Sequence, residues 1–187
     1  MREMGLRMAE PYLPSELAGT KEQPERLWLA AYTKSRHEEM VARGLGAKDV
    51  RFLLPTFWKH TQWSDRVHRV PAPLFPGYVF VHVSHEERVR VLQTAGVVNI
   101  VAVAGKPSAL RDEEVAMLRE CTARPRYVEP FPFLQSGHRV RVAKGPLAGW
   151  EGVLVYRKNC RRLVVNIEHI MRSVSVDLDG ADVEPLN

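Results

Sequence analysis

The chain has 187 residues, 45% apolar and 26% charged, with a formal net charge of +5. That is an ordinary soluble globular composition, long enough for one average domain or two small ones. Only Cys121 and Cys160 are present, without metal-ligand spacing, which argues against a disulfide framework and for a reducing compartment, so the cytoplasm is expected. The basic residues are mostly arginine, suited to bidentate recognition of phosphate or carboxylate, so nucleic acid or an acidic protein surface is the expected class of partner.

Residues 1–25 carry charges and Pro11, Pro14 and Pro24 but no continuous apolar stretch. They read as a flexible extension, neither signal peptide nor membrane span, and later apolar runs such as 97–104 are too short to cross a bilayer. Residues 27–33 read as a strand. Ser35-Arg-His-Glu38 has the pattern of a capping box and predicts a helix start, with Gly44 and Gly46 ending that helix. Residues 52–58 and 66–70 predict an extended hairpin around a Ser64-Asp65 turn. After Pro76-Gly77 a strand over 78–83 alternates, so Tyr78, Phe80 and His82 share one face and Val79, Val81 and Val83 the other. Ser84-His-Glu-Glu87 is a second capping box, opening a helix with Val89 and Leu92 three apart. A strand over 97–103 and a helix over 112–120, with Val115, Met117 and Leu118 facing inward, complete the first domain.

Prolines then break the pattern, and residues 122–136 read as a linker. From Gly137 short valine-rich segments at 139–143, 152–156, 163–167, 173–178 and 183–185 are punctuated by glycines, which predicts a small closed or nearly closed β-barrel. The domain boundaries expected are thus 1–25, 26–121, 122–136 and 137–187. The fold class is α+β, an amino-terminal antiparallel sheet flanked by helices followed by a small carboxy-terminal barrel.

The hairpin Lys59-His-Thr-Gln-Trp-Ser-Asp-Arg-Val-His-Arg69 gathers Lys59, Arg66, Arg69 and Trp63 near one tip. The cations suit DNA phosphates. Trp63 either stacks on an unpaired base or packs on its own sheet. No catalytic or cofactor constellation is read: His82 and His85 have no Cys or carboxylate partner at metal spacing, Cys121 has no indicated base, and Gly145-Pro-Leu-Ala-Gly149 lacks the residues of a phosphate-cradling loop. The expected protein is not an enzyme.

Five segments together resemble the NusG family of transcription elongation factors and its operon-specific paralogues. They are Leu27-Trp-Leu-Ala-Ala-Tyr-Thr-Lys34, Leu74-Phe-Pro-Gly-Tyr-Val-Phe80, Ala95-Gly-Val-Val-Asn-Ile-Val101, Asp112-Glu-Glu-Val115 and the KOW-like run from Gly137 to Val153. The resemblance implies an NGN-type domain that binds the clamp helices of RNA polymerase through Tyr32, Phe75, Tyr78 and Phe80. It also implies a KOW domain, an SH3-like barrel, whose partners are ribosomal protein S10 and Rho. Trp150, Asn166, Ile167, Ile170 and Met171 fall where the family places such contacts, with Trp150 open between a binding role and a barrel plug.

In specialised paralogues the first helix and the segment before the Gly-Val strand read the non-template strand. Here Gly44, Ala47, Lys48 and Ala95 offer little beyond Lys48, so Arg36, Arg43 and Lys48 are expected to contact DNA backbone without reading sequence. One paralogue folds its second domain as a helical hairpin that masks the polymerase site. Leu163, Val164, Ile167, Ile170, Met171 and Val174 fit a helical stripe, whereas Val153, Val155, Val165, Val174 and Val176 favour strands. The expectation is therefore a monomeric elongation or antitermination factor without cofactor or membrane association. The amino-terminal extension and arginine-rich hairpin favour a specialised paralogue; the alternative is an RNA-binding or ribosome-associated KOW protein.

Overall fold

The computed structural model describes residues 24–63, 66–124, 128–133, 136–145, 147–157, 160–178 and 183–186; the side chains of 61–63, 66–68, 157 and 160 lie outside that description. The extension 1–23 and the predicted Ser64-Asp65 turn fall outside the described residues.

The first sheet is built from β1 (Leu27–Thr33), β2 (Arg51–Leu53), β5 (Tyr78–Val83) and β6 (Val97–Ile100), ordered β2-β5-β1-β6 with every pair antiparallel. Between β2 and β5 the chain makes the long hairpin β3 (Thr56–Trp63) and β4 (Arg66–Pro73), in which Trp63 pairs with Arg66. The period-two reading of β5 holds. Val79, Val81 and Val83 face α1 (Glu38–Gly46), packing with Leu29, Ala31, Val41 and Leu45. Phe80 faces the other way, into a cluster with Trp28, Leu74, Phe75 and the inner side of α3 (Asp112–Ala123), where Val115, Met117 and Leu118 are buried.

The two capping boxes fare differently. Ser84 and Glu87 exchange hydrogen bonds as predicted, the Ser84 N–H donating to Glu87 Oε2 at 3.0 Å and the Glu87 N–H to Ser84 Oγ at 3.3 Å. They close the turn that leads into the short α2 (Arg88–Leu92), whose own cap position, Glu87, makes no side-chain cap bond; its buried residue is Val91, while Val89 and Leu92 are exposed. At Ser35-Arg-His-Glu38 no box forms. Arg36 takes a left-handed φ of 61°, His37 becomes the cap position with no side-chain cap bond, and Glu38 turns elsewhere. The predicted strand over 97–103 is broken at Val101, which donates to Ala30 O. A two-residue turn at Ala104 and Gly105, both at positive φ, then joins β7 (Ala102–Val103) to β8 (Lys106–Pro107).

The second sheet has six antiparallel strands: β9 (Val128–Phe131), β10 (Arg139–Val142), β11 (Glu151–Arg157), β12 (Cys160–Ile167), β13 (Arg172–Asp177) and β14 (Val183–Pro185), ordered β14-β10-β11-β12-β13-β9. The helical stripe over 163–174 is not adopted: β12 pairs with β13 from Arg162–Asp177 to Ile167–Arg172, because cross-strand pairing buries Leu163, Ile167, Val174 and Val176. Within the stretch read as a linker, α3 continues to Ala123 and Val128–Phe131 pairs with β13. Pro130 is accommodated because β9 is an edge strand, where an absent N–H breaks no ladder on the outer side. Arg162 holds that edge, reaching Glu129 Oε2 at 2.7 Å and Asp177 Oδ1 at 2.7 Å from a side chain only 11% exposed.

Candidate functional site

The Pro76-Gly77 turn is where sequence and structure converge. Gly77 sits at φ +85°, a conformation that favours glycine, and both of its backbone groups are taken. Its carbonyl accepts from the Thr33 N–H at 2.8 Å, and its N–H donates to Glu38 Oε1 at 2.7 Å. Glu38 is 5% exposed, so this is a buried carboxylate on the first residue of α1 clamping a turn 39 residues away. The clamp fixes where β5 starts, and thereby Tyr78 against its cross-strand partner Tyr32. Their rings lie 5.5 Å apart at 52°, and the Tyr32 ring lies 3.2 Å from where a Cβ on Gly77 would sit.

Of the four predicted docking aromatics, two form a surface and two support it. Tyr32 is 43% exposed and Tyr78 is half-buried, whereas Phe75 and Phe80 are 2% and 0% exposed. The buried pair meets edge to face, with centroids 5.6 Å apart at 89°. Phe80 is covered because Leu118 and its neighbours on α3 occupy the face that alternation alone leaves open. The expectation that all four aromatics contact the partner therefore fails at Phe75 and Phe80, which lie beneath the surface.

Sequence reasoning assigned Glu38 to a cap and so missed its role. The Ser-x-x-Glu pattern is genuine, but a buried N–H elsewhere in the chain outcompetes the local one. Glu38→Ala is expected to leave the Gly77 N–H unsatisfied and to destabilise the protein by about 2 kcal/mol, while Glu38→Gln, whose amide oxygen still accepts, retains most of that stability. Chemical denaturation of the two variants checks this.

The predicted nucleic-acid residues divide. Lys59 and Arg69 are exposed, but Lys59 pairs with Val70 and Arg69 with His60, which puts the two cations on opposite faces of the hairpin. The side chains of Trp63 and Arg66 lie outside the described residues. Arg36 and Arg43 are exposed. Lys48 is engaged: its Nζ donates to Arg90 O at 3.1 Å and to Thr94 Oγ1 at 3.0 Å, fastening the loop after α1 to α2.

On the second sheet, Ile167 and Ile170 are buried at 0% and 4% exposure and belong to its interior. Met171 is exposed at a left-handed φ of 50°, Asn166 Oδ1 accepts from Ser173 Oγ at 2.6 Å, and Trp150 is half-buried against the apolar cluster. Burial pushes the Cys121 thiol up to about 12, with Glu120 adding to the effect, so it is a core side chain and not a nucleophile. Among the described residues no cluster of three or more His, Cys, Asp or Glu is placed to hold a metal ion, and no helix is long and apolar enough to cross a membrane.

Comparison with known proteins gives a consistent result. The family model NusG, described as "Transcription termination factor nusG", matches residues 26–119. The "Transcription termination/antitermination protein NusG" of Lactococcus lactis is 26% identical over 167 residues, covering 84% of this chain and 89% of that protein. The Pseudomonas aeruginosa protein of the same name is 27% identical over 173 residues, covering 84% and 97%. A solved structure described as "Domain interaction in Thermotoga maritima NusG" superposes with a TM-score of 0.55 at 23% identity over 87% of this chain and 98% of that one, which shows a shared fold.

Proposed function

The chain belongs to the NusG family of transcription termination and antitermination factors, and from that premise we propose that it docks on RNA polymerase through the Tyr32–Tyr78 surface while its second sheet recruits another protein. The observation that carries the docking reading is the pair of partly exposed tyrosines held by the Glu38–Gly77 clamp over the buried Phe75 and Phe80. Such a surface is pre-organised, with little rotamer freedom left to lose on binding, and rigid aromatic anchors of this kind dominate protein interfaces. The clamp helices of polymerase are the proposed acceptor. Bridging the polymerase cleft disfavours the paused state to the extent that the factor binds the active state better.

Ribosomal protein S10 and Rho are the proposed partners of the KOW-like sheet, with Met171 and Trp150 as the contacts its surface leaves available. The rival reading, an RNA-binding KOW protein, requires a continuous basic surface on that sheet. Three of its arginines are instead met by carboxylates: Arg141 Nε lies 2.9 Å from Glu151 Oε1, Arg139 is 3.9 Å from the same carboxylate, and Arg162 joins Glu129 and Asp177.

The test is binding of the full chain to a purified elongation complex. Tyr78→Ala and Tyr32→Ala are each expected to weaken binding about 30-fold, the equivalent of ~2 kcal/mol. Unchanged affinity in variants with native circular dichroism rejects the docking surface.

A further inference from the structure

At the end of the first sheet opposite the tyrosines, three neighbouring strands place one residue each in a row. His82 of β5 has Arg51 of β2 as its partner on one side and Trp28 of β1 on the other, and cross-strand partners share a face. The His82 and Trp28 rings stack at 5.0 Å and 23°, and the Arg119 guanidinium, reaching over from α3, lies 5.8 Å from the Trp28 ring centroid. Trp28 is 8% exposed, so the row shows solvent its guanidinium groups and not its indole.

The charges here are unbalanced. Arg26 is paired with Glu87 at 2.8 Å, but among the described residues neither Arg51 nor Arg119 has a carboxylate partner, and both are exposed. His82 reports the resulting field: burial, then Arg51, Arg26 and Arg119, hold its imidazole below its ordinary titration range, and its Nδ1 has no hydrogen-bond partner. The fold thus keeps His82 between two guanidinium groups with no carboxylate partner among the described residues, whereas Arg139, Arg141 and Arg162 of the other sheet each have one.

We propose that Arg51 and Arg119 form a phosphate-binding site for the backbone of nucleic acid, seated on the stacked His82–Trp28 floor. A protein-binding patch centres on exposed apolar or aromatic side chains, and this one has its aromatic covered. A base-reading or base-stacking site likewise needs an accessible ring or amide. Two forked, permanently charged donors over a covered indole suit phosphodiester oxygens, contacted without sequence preference. The site draws its residues from β1, β2, β5 and α3 and needs no polymerase, so its failure and that of the docking surface are distinguishable.

The experiment uses the full chain and a short mixed-sequence DNA duplex, measuring affinity against salt and following His82 by NMR titration. Arg51→Gln and Arg119→Gln are each expected to lower the salt slope by about one unit. In the wild type, DNA is expected to raise the His82 titration midpoint, because a bound phosphate offsets the field of Arg51 and Arg119. Lys59→Gln is expected to leave that His82 shift in place. Arg51→Lys, which keeps the charge without the fork, is expected to retain the salt slope and lose part of the affinity. An unchanged slope in Arg51→Gln, whose side chain is exposed and whose folding is checked by circular dichroism, overturns the proposal. So does a His82 midpoint that rises with poly-glutamate and not with DNA, which assigns the row to an acidic protein.

Discussion

Phe80→Ala is expected to cost about 4 kcal/mol of stability, whereas Tyr78→Ala, two residues earlier on the same face of β5, is expected to cost about 1 kcal/mol and to act on polymerase affinity instead. Phe80 is fully buried, edge-on to Phe75 and covered by α3, so truncation leaves a cavity in a cluster that also contains Trp28, Leu74 and Leu118. Tyr78 is half-buried, and water replaces much of what its ring loses. Denaturation midpoints of the two variants separate scaffold from contact, and similar losses of stability in both contradict the assignment. Phe80→Leu, which keeps most of the volume, is expected to recover more than half of the loss.

Arg162→Ala carries the second large effect, a loss of about 3 kcal/mol from the second sheet. The side chain is mostly buried and serves Glu129 on β9, Asp177 on β13 and Ser175, whose Oγ lies 3.2 Å from Nη1. Burial alone disfavours the guanidinium charge, but the two carboxylates outweigh it and raise its pKa above the ordinary value. Removing the arginine leaves the Asp177 carboxylate, itself only 24% exposed, without its partner, and detaches the edge strand. Hydrogen exchange checks the second consequence: the amides of Val128, Glu129 and Phe131 are expected to lose protection before those of β12. Retained protection at β9 in the variant contradicts the role given to Arg162.

Much of the fold was legible because periodicity reports which face a residue occupies. The Val79, Val81, Val83 face and the inward side of α3 both read correctly from spacing. Periodicity does not report what lies above a face. Phe80 and Tyr78 are equivalent by alternation, and only the position of α3 makes one a core residue and the other a surface residue. The same limit explains Ile167, which lies both in the helical stripe and in the strand read over 163–167 until β13 pairs with β12; Ile170 is buried in the short helical turn that follows β12. Prolines misled in the opposite direction. Pro130 and Pro132 read as linker punctuation, yet an edge strand tolerates Pro130, and β9 joins the sheet.

Long-range polar contacts were the least legible. Glu38 to Gly77, Lys48 to Thr94 and Arg162 to Glu129 each connect residues more than thirty positions apart, and no local pattern marks them. Two of the three removed a residue from a role its sequence suggested, Glu38 from a helix cap and Lys48 from a free DNA contact. The arginine row around His82 was invisible for the same reason, since Trp28, Arg51, His82 and Arg119 come from four elements.

On the proposed function, the Tyr32–Tyr78 surface couples this protein to the transcribing polymerase. Single-round transcription by purified RNA polymerase, scoring pause lifetimes and terminator readthrough with the wild type and with folded Tyr78→Ala, probes that coupling. The wild type is expected to shorten pauses or raise readthrough, and Tyr78→Ala to lose the effect. A Tyr78→Ala protein as active as the wild type, or a folded wild type that neither binds the elongation complex nor alters its pausing, contradicts it.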